Sequence, residues 1–519
     1  MKCAILQESF SPGNIEGNHK KVASFYQKAS KEDVDVAIVP SEALCGFEPE
    51  DLLNFNDFSE RLEKIQKSLV RATDSETALI FDTPIALDGS FSPSIIVAYD
   101  GCIQHVIPQF DTVPMEDQIV ELHNGRILVT YCSSIASLSV QELLATAEVV
   151  DICILLDARP FSADSECQRF RFIENLATSL DNLVYVGQSG FQNGDVLTGA
   201  SCWYKEGKRC IQFPYFEARS GIFDTGSMQP KQTPSIYPVN KEKMTALLYK
   251  ALVEGVKGYF ESCGITQAVI GLSGGIDSSV VLPVAVDALG CQNVTGLLMP
   301  SRFSSDHSVA DAVKLAQNLH ISYEIIPIEP LYGAFLKQLA PIFQDTPFGL
   351  AEENLQARIR GNLLMAVANK KGAMLLNTSN KSESCCGYGT LYGDLCGGLS
   401  VLGDLYKSQV YDIARHINKK KEIIPENCIR KAPSAELRPN QKDSDTLPDY
   451  DTIEQVLRMF LEKGWGVEDI AKEGTDARTA KRILDLFYKN VFKRRQTPPV
   501  IRLSDTVLER DIHLPLVCR

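Results

Sequence analysis

A short apolar run, Ala268–Gly271, opens directly into Gly271-Leu-Ser-Gly-Gly-Ile-Asp-Ser-Ser279, and a long apolar helical pattern follows at once. The run reads as a buried strand, so the chain must turn sharply with little side-chain bulk before the helix begins. In such a turn Ser273, Gly274 and Gly275 leave backbone N–H groups exposed, and the helix N-terminus adds its positive end. Together these make an anion cradle suited to a pyrophosphate. Asp277 would repel phosphate on its own. It makes sense as a ligand for Mg2+, which favours a carboxylate together with phosphate oxygens. Ser278 and Ser279 can cap the helix or donate to phosphate.

The residues around this loop keep alternating. Helical patterns at 244–263, 278–288, 309–319 and 355–370 separate apolar runs at 268–271, 294–299, 323–327 and 373–377. That spacing predicts βαβ units and a doubly wound parallel sheet. Residues 432–449, with Pro433, Pro439 and Pro448, read as a long loop, and a helical C-terminal region follows. The first half is also α/β. Its apolar runs at 2–6, 34–39, 78–81, 94–99, 127–131, 152–156 and 183–186 read as buried strands around a layered sheet core. Residues 228–239 carry Pro230, Pro234 and Pro238 among polar residues and read as a linker. Two domains are therefore expected, 1–235 and 242–519, as the length of 519 residues demands.

Composition narrows the class. The net charge of −14 argues against nucleic-acid and membrane-surface partners. No apolar run approaches the ~20 residues of a spanning helix. The first residues have too short an apolar run for a secretory signal. Fifteen scattered cysteines without a CxxC pair suggest reduced thiols in a cytoplasm. Seven histidines, none in HxH or HxxxH spacing, argue against a histidine-built metal centre.

The SGGxDSS loop resembles the pyrophosphate loop of the N-type ATP pyrophosphatases, which adenylate a substrate oxygen and let a nitrogen nucleophile displace AMP. Downstream come Met299-Pro-Ser-Arg-Phe-Ser-Ser305, Glu353-Asn-Leu-Gln-Ala-Arg-Ile-Arg-Gly361 and Asn377-Thr-Ser-Asn-Lys-Ser-Glu383. They are followed by Gly387-Tyr-Gly-Thr-Leu-Tyr-Gly-Asp394, Asp404-Leu-Tyr-Lys407, Lys431-Ala-Pro-Ser-Ala-Glu-Leu437 and Lys493-Arg-Arg-Gln496. In this order, from about 245 to 500, they closely resemble the NAD synthetase family. The resemblance implies ATP-dependent amidation of nicotinate adenine dinucleotide (deamido-NAD) to NAD, with release of AMP and pyrophosphate. It implies Asp277 and Glu383 as the Mg2+ carboxylates and Gly271, Leu272, Ile276, Thr378, Lys407 and Ser434 as contacts to ATP. Asn354, Arg358, Glu383 and Lys493 are the implied contacts to deamido-NAD.

The first half holds Pro40-Ser-Glu42-Ala-Leu-Cys-Gly-Phe-Glu-Pro-Glu-Asp51 after a strand. It resembles the nitrilase-like α/β sandwich that serves as the glutaminase domain of two-domain NAD synthetases. That family uses a Glu–Lys–Cys triad. Glu42 matches the base and Cys132 the nucleophile. The lysine is missing. Aligning Gln104-His-Val-Ile-Pro108-Gln-Phe110 with the family segment puts Gln104 at the lysine and Phe110 at a tyrosine that contacts glutamine. No lysine occurs between Lys67 and Lys205. Ser133-Ser134 follows the cysteine in place of Glu-Asp. Arg159-Pro160-Phe161 and Ser165 replace the family's Ser-Pro-Phe and a later lysine. The expectation is a domain that keeps its fold and hydrolyses glutamine poorly or not at all, with free ammonia or a different amide as nitrogen donor, or glutamine if the domain is still active.

Leu391 and Gly398 match the glutamine-dependent type, where ammonia-only members often have lysine and aspartate. The resemblance further implies a homo-oligomer. Two other readings stay open at this point: another amidating ATP pyrophosphatase, or a non-catalytic oligomeric regulator.

Overall fold

The computed structural model describes residues 1–87, 90–109, 113–133, 149–226, 240–344, 346–439 and 441–515. The linker expected at 228–239 lies outside them. The chain divides into two compact units, Met1–Phe161 with Ser165–Tyr237, and Ser162–Asp164 with Pro238–Arg519.

Unit 1 begins with β1 (Lys2–Gln7), α1 (Ile15–Lys31), β2 (Val36–Ile38), α2 (Asn56–Arg71), β3 (Ala78–Leu87), β4 (Ser90–Tyr99) and β5 (Cys102–Pro108). It continues with β6 (Ile119–Leu122), β7 (Gly125–Tyr131), β8 (Ile152–Asp157), α3 (Glu166–Ala177) and β9 (Asn182–Gly187). Five short strands close it: β10 (Ser189–Gln192), β11 (Asp195–Thr198), β12 (Cys202–Lys205), β13 (Lys208–Gln212) and β14 (Arg219–Asp224). They form two six-stranded sheets, β14-β1-β2-β3-β4-β5 and β13-β12-β9-β8-β7-β6, and a small β10-β11 ribbon. Each large sheet has a parallel centre, β1-β2-β3 or β7-β8-β9, and antiparallel edges.

The pleat explains the layering. In β1, Cys3 and Ile5 point to one face, and Ala4 and Leu6 to the other. The first face joins Val36, Ile38, Ile80 and Val97 against Ile127, Val129, Ile154, Leu156, Val184 and Trp203 of the other sheet. The second face packs with Val22, Phe25 and Tyr26 of α1 and Phe58 and Leu62 of α2. Strands buried on both faces need continuous apolar runs, which is why the central ones were readable. The short hairpin strands β5, β6 and β10–β14 were not. Most of the β5 side chains are exposed, so its apolar content carries no core signal.

Unit 2 holds α4 (Lys241–Cys263), β15 (Ala268–Gly271), α5 (Ile276–Leu289), β16 (Val294–Leu298), α6 (Asp306–Asn318), β17 (Ser322–Ile325), α7 (Glu329–Phe343) and α8 (Leu350–Lys371). Next come β18 (Met374–Asn377), α9 (Lys381–Cys386), β19 (Leu399–Ser400), α10 (Lys407–Ile417) and α11 (Glu426–Arg430). The last helices are α12 (Tyr450–Lys463), α13 (Val467–Lys472), α14 (Ala477–Lys489) and α15 (Val491–Arg494). All strand pairs are parallel, in the order β17-β16-β15-β18-β19. The winding reverses between β15 and β18. Ligands of doubly wound sheets bind outside the carboxyl ends of the strands at such a switch point. Here those ends are Gly271 and Asn377.

A buried charge cluster pins α3 to the second sheet of unit 1. Arg169 Nη2 donates to both oxygens of Glu166 at 2.8 Å, and Tyr185 Oη donates to Asp157 Oδ2 at 2.9 Å. Arg169 lies 3.6 Å from Asp157, with 4% of its side chain exposed. Removing one partner of such a cluster strands the other charges. Arg169→Met is expected to cost about 3–5 kcal/mol, and a double variant with Glu166→Gln should recover a large part, as measured by urea denaturation.

Candidate functional site

The glycine loop caps β15 at the switch point. Leu272 N donates to Leu297 O at 2.8 Å, which ties the loop to the neighbouring strand. Gly274 has φ +70, and a Cβ there would lie 2.2 Å from the Ser308 carbonyl oxygen. Only glycine meets both conditions. Gly275 then serves as the N-cap of α5. Its N–H donates to Ser273 Oγ at 3.1 Å, while the hydroxyls of Ser278 and Ser279 donate to Gly275 O at 3.2 and 2.7 Å. The serines therefore stiffen the turn.

Asp277 lies in the first turn of α5. Its Oδ1 accepts from Asn380 Nδ2 at 2.9 Å, and its Oδ2 from Lys407 Nζ at 2.7 Å. Lys407 Nζ also donates to Glu383 Oε1 at 2.9 Å. Glu383 is held by a reciprocal cap with Asn380, whose Oδ1 accepts from Glu383 N at 3.0 Å. Three elements thus converge on one nitrogen: α5 brings Asp277, α9 brings Glu383 and α10 brings Lys407. Burial alone would push the Lys407 ammonium down; the two carboxylates outweigh it and hold it well above the usual lysine range. Burial pushes the Glu383 carboxyl up against the pull of Lys407. The two carboxylates point at a single cation-sized position. Among the described residues no cluster of three or more His, Cys, Asp or Glu side chains could hold a metal ion. Two carboxylates leave the remaining coordination to a ligand, which suits Mg2+ on phosphates.

One deep cleft gathers most of the expected residues. Gly271, Leu272, Ser273, Gly275, Ile276, Asp277, Ser278, Thr378, Glu383, Lys407 and Ser434 line it. Gly274 turns away into the backbone of Ser308. The Ser434 hydroxyl donates to Gln441 O at 2.6 Å, so it shapes its own loop.

Asn354, Arg358 and Lys493 do not line this cleft. They brace the loop after α9 instead. Asn354 Oδ1 accepts from Thr390 Oγ1 at 2.8 Å, and Arg358 Nε donates to Leu391 O at 3.3 Å. Lys493 Nζ donates to Gly387 O at 2.8 Å and Gly389 O at 2.9 Å. The arginine that does line the cleft is Arg360, whose Nε donates to Met299 O at 3.0 Å and whose pKa burial pushes down to about 10. Residues two apart on a helix face different directions, so the motif 353–361 presents Arg360 to the cleft and Arg358 away from it. Lys431 and Glu436 were also missed. Glu436 Oε1 accepts from Ser305 Oγ at 2.8 Å and Ser308 Oγ at 2.7 Å, latching the 431–439 loop to the start of α6. Nothing local in sequence signals that contact.

The candidate triad of unit 1 looks different. Glu42 adopts φ +57 and accepts from Glu48 N at 3.0 Å. Burial pushes its carboxyl up to about 8, and the nearby carboxylates of Asp82, Glu48 and Asp157 add to that rise. Cys132 directly follows β7 and is 3% exposed. Burial pushes its thiol up to about 12, and it hydrogen-bonds the Asp157 carboxylate. Arg159 Nε lies 3.8 Å from Asp157.

Gln104 is the residue expected at the lysine position. It is exposed on β5, and its side chain donates to Tyr99 O at 3.2 Å. Gln109, just beyond β5, donates from Nε2 to Ser133 Oγ at 3.1 Å, beside the nucleophile position. Phe110 and Ser134 lie outside the described residues. Ser165 precedes α3.

Comparison with known proteins follows this geometry. The NAD synthase family model matches residues 248–497. The chain is 35% identical to the glutamine-dependent NAD(+) synthetase of Synechocystis sp. over 549 residues, covering 99% of this chain and 98% of the relative. A glutamine-dependent NAD(+) synthetase of Thermotoga maritima is 32% identical, with 100% and 99% covered. The solved glutamine-dependent NAD+ synthetase of Acinetobacter baumannii, in complex with adenosine diphosphate, aligns with a TM-score of 0.76 at 30% identity over 99% of this chain and 98% of its own. The Cytophaga hutchinsonii structure aligns with a TM-score of 0.83 at 16% identity over 100% and 98%, which bears on the fold alone.

The cradle allows a direct test. Gly274→Ala forces a Cβ into the Ser308 carbonyl and a left-handed backbone on alanine. Strain of about 1–3 kcal/mol in the loop is expected to weaken ATP binding roughly tenfold or more, measured by titration calorimetry.

Proposed function

The chain belongs to the family of glutamine-dependent NAD synthetases and forms NAD by ATP-dependent amidation of deamido-NAD; we propose that the reaction runs in the unit 2 cleft around Asp277, Glu383 and Lys407, with free ammonia as the effective nitrogen donor. The observation that carries this reading is the convergence of Asp277 Oδ2 and Glu383 Oε1 on the Lys407 ammonium at the mouth of the glycine loop.

A carboxylate resists ammonia because its leaving group would be oxide. Adenylation supplies a better one. The nicotinate carboxylate attacks the α-phosphorus of ATP, pyrophosphate departs, and ammonia then displaces AMP from the acyl adenylate. The backbone N–H groups of 271–276 and the start of α5 hold the departing pyrophosphate. Mg2+ held by Asp277 and Glu383 would neutralise charge on the phosphate oxygens. With Mg2+ on Asp277 and Glu383, the Lys407 ammonium would lose its two carboxylate partners and could bond phosphate instead. Thr378 and Ser434 line the nucleotide side of the cleft, and Arg360 adds a buried positive charge facing the same space. Asn354, Arg358 and Lys493 shape the 387–391 loop against which deamido-NAD is placed.

Unit 1 carries the nitrilase-like part, and its site favours ammonia as donor. A general base must be ionised to work. With its carboxyl raised to about 8, Glu42 is mostly protonated at neutral pH. No lysine occurs between Lys67 and Lys205 to hold it ionised. Cys132 is a thiol bonded to Asp157, not an activated thiolate. The Gln109 side chain is neutral and bound to Ser133.

A homo-oligomer through unit 2 is the fitting assembly. Leu331, Phe335 and Ile342 of α7 are exposed, with Phe348 and Leu350 just beyond, and Ile342 reaches 75%. A patch of that kind marks an interface with a second copy. The free thiols of the described cysteines suit a cytoplasm. No described helix is long and apolar enough to cross a membrane.

Two measurements test these readings. NAD formation from deamido-NAD, ATP and Mg2+ is expected with ammonium, and at a far lower rate with glutamine at neutral pH. Equal rates with both donors would overturn the reading of unit 1. Any residual glutamine-dependent rate should rise with pH through about 8, as Glu42 loses its proton and becomes able to accept one. Light scattering is expected to show at least a dimer, and Ile342→Glu with Leu350→Glu should shift it to monomer.

A further inference from the structure

Lys381 and Asp404 form an ion pair inside unit 2 with 2% and 1% of their surface exposed. Lys381 Nζ donates to Asp404 Oδ1 at 2.8 Å, to Ser504 Oγ at 2.9 Å and to Thr506 O at 2.6 Å. An ammonium has three N–H groups, so all are used. Asp404 Oδ1 also accepts from Ser504 Oγ at 2.8 Å, while its Oδ2 accepts from Leu503 N at 2.7 Å and Ser504 N at 2.8 Å. A carboxylate offers about four acceptor positions, and these too are filled.

A saturated buried pair is by itself evidence only of a well-made fold. The segments it joins carry the argument further. Lys381 stands two residues before Glu383, and Asp404 three residues before Lys407. Two more bonds stitch the same segments: Lys381 N donates to Leu405 O at 2.8 Å, and Lys407 N to Ser382 Oγ at 3.0 Å. The third wall of the clamp is a tail segment, 503–506, brought in beside β19 where Ser400 N donates to Pro499 O at 2.8 Å. α9 has only six residues, too few to hold its own geometry. The position of Glu383 relative to Lys407 must therefore come from outside the helix.

We propose that Lys381 and Asp404 are positioning residues for the synthetase reaction, and that the 503–506 tail, gripped between them, is a working part of the ATP site. The clamp sets the separation of the Glu383 carboxylate and the Lys407 ammonium. Water cannot enter to replace a lost bond, so a change at the tail displaces both groups. This inference rests on the reading of Asp277, Glu383 and Lys407 as the ATP and cation site. Errors near 1 Å in such groups are costly to rate even when binding survives.

The test uses the full chain with two variants. The double substitution Lys381→Met with Asp404→Leu removes both charges together and leaves neither stranded. Ser504→Ala removes one hydroxyl from the clamp and keeps the ion pair. Melting temperature, ATP affinity without divalent cation, Mn2+ binding to the ATP-bound protein by paramagnetic resonance, and NAD formation with ammonium are measured on each. For the double variant the expected result is unchanged ATP affinity without cation, Mn2+ binding weaker by about tenfold and kcat lower by about tenfold to a hundredfold. Ser504→Ala is expected to shift Mn2+ binding about threefold in the same direction. A melting temperature lowered with Mn2+ binding and kcat per folded molecule unchanged would overturn the proposal and leave a structural pin. If the double variant does not fold, Ser504→Ala decides: Mn2+ binding and kcat equal to the parent overturn it. Failure of the parent chain to bind Mn2+ with ATP, or to form NAD, would instead sink the underlying reading of the site.

Discussion

The gap between the carboxyl ends of β15 and β18 governs the rest of unit 2. A parallel sheet that reverses its winding there leaves two loops splayed apart over a crevice. One is the glycine loop leading into α5; the other begins at Asn377 and leads into α9. Asp277 and Glu383 lie in the first turns of those helices, so their carboxylates face each other across the crevice. Two negative charges in one partly dehydrated place repel unless a cation joins them. Lys407, from a third helix, supplies it. The site is thus assembled under electrostatic tension that a bound cation can take over from the lysine.

The same principle, applied with the opposite sign, accounts for unit 1. Glu42 is surrounded by Asp82, Glu48 and Asp157, and the position facing Ser133 holds the neutral Gln109. Among the described residues no lysine or arginine pairs with Glu42, and burial raises its carboxyl. Arg159 and Arg169 serve Asp157 and Glu166 instead. A sandwich of two apolar sheets tolerates this, because its stability comes from the interleaved faces of β1, β2, β3, β7, β8 and β9 and not from the site.

Charge pairs do different work in different places. Arg169 with Glu166 holds α3 to its sheet, and Lys381 with Asp404 holds a chain terminus to the segments that carry Glu383 and Lys407. Both are nearly free of solvent; Lys381 and Asp404 have their hydrogen-bonding capacity filled, the condition under which a buried pair is tolerated, whereas Arg169 Nε has no partner. The pair at Lys407 differs, since its partners line an open cleft and can exchange one cation for another.

Much of this was legible without coordinates. The turn at Gly274, the helix that follows it and the carboxylate at Asp277 are local features, determined by glycine's backbone freedom, the apolar run and the residue order. The central strands of both units were legible for the same reason: burial on both faces demands continuous apolar sequence. Other matters depended on distances along and between elements. Whether Arg358 or Arg360 lines the cleft turns on the rotation of one helix, and which glutamine near β5 bonds Ser133 turns on the reach of one strand. The meeting of Lys381 with Ser504, separated by more than a hundred residues, has no local signature at all. The sequence by itself determined the sheet class, the anion cradle and the chemical kinds of group available, because those follow from short-range sterics and patterning. Only the tertiary structure decided which groups meet, which are dehydrated and which cation they share, because pair energies and burial exist only once distant segments are packed together.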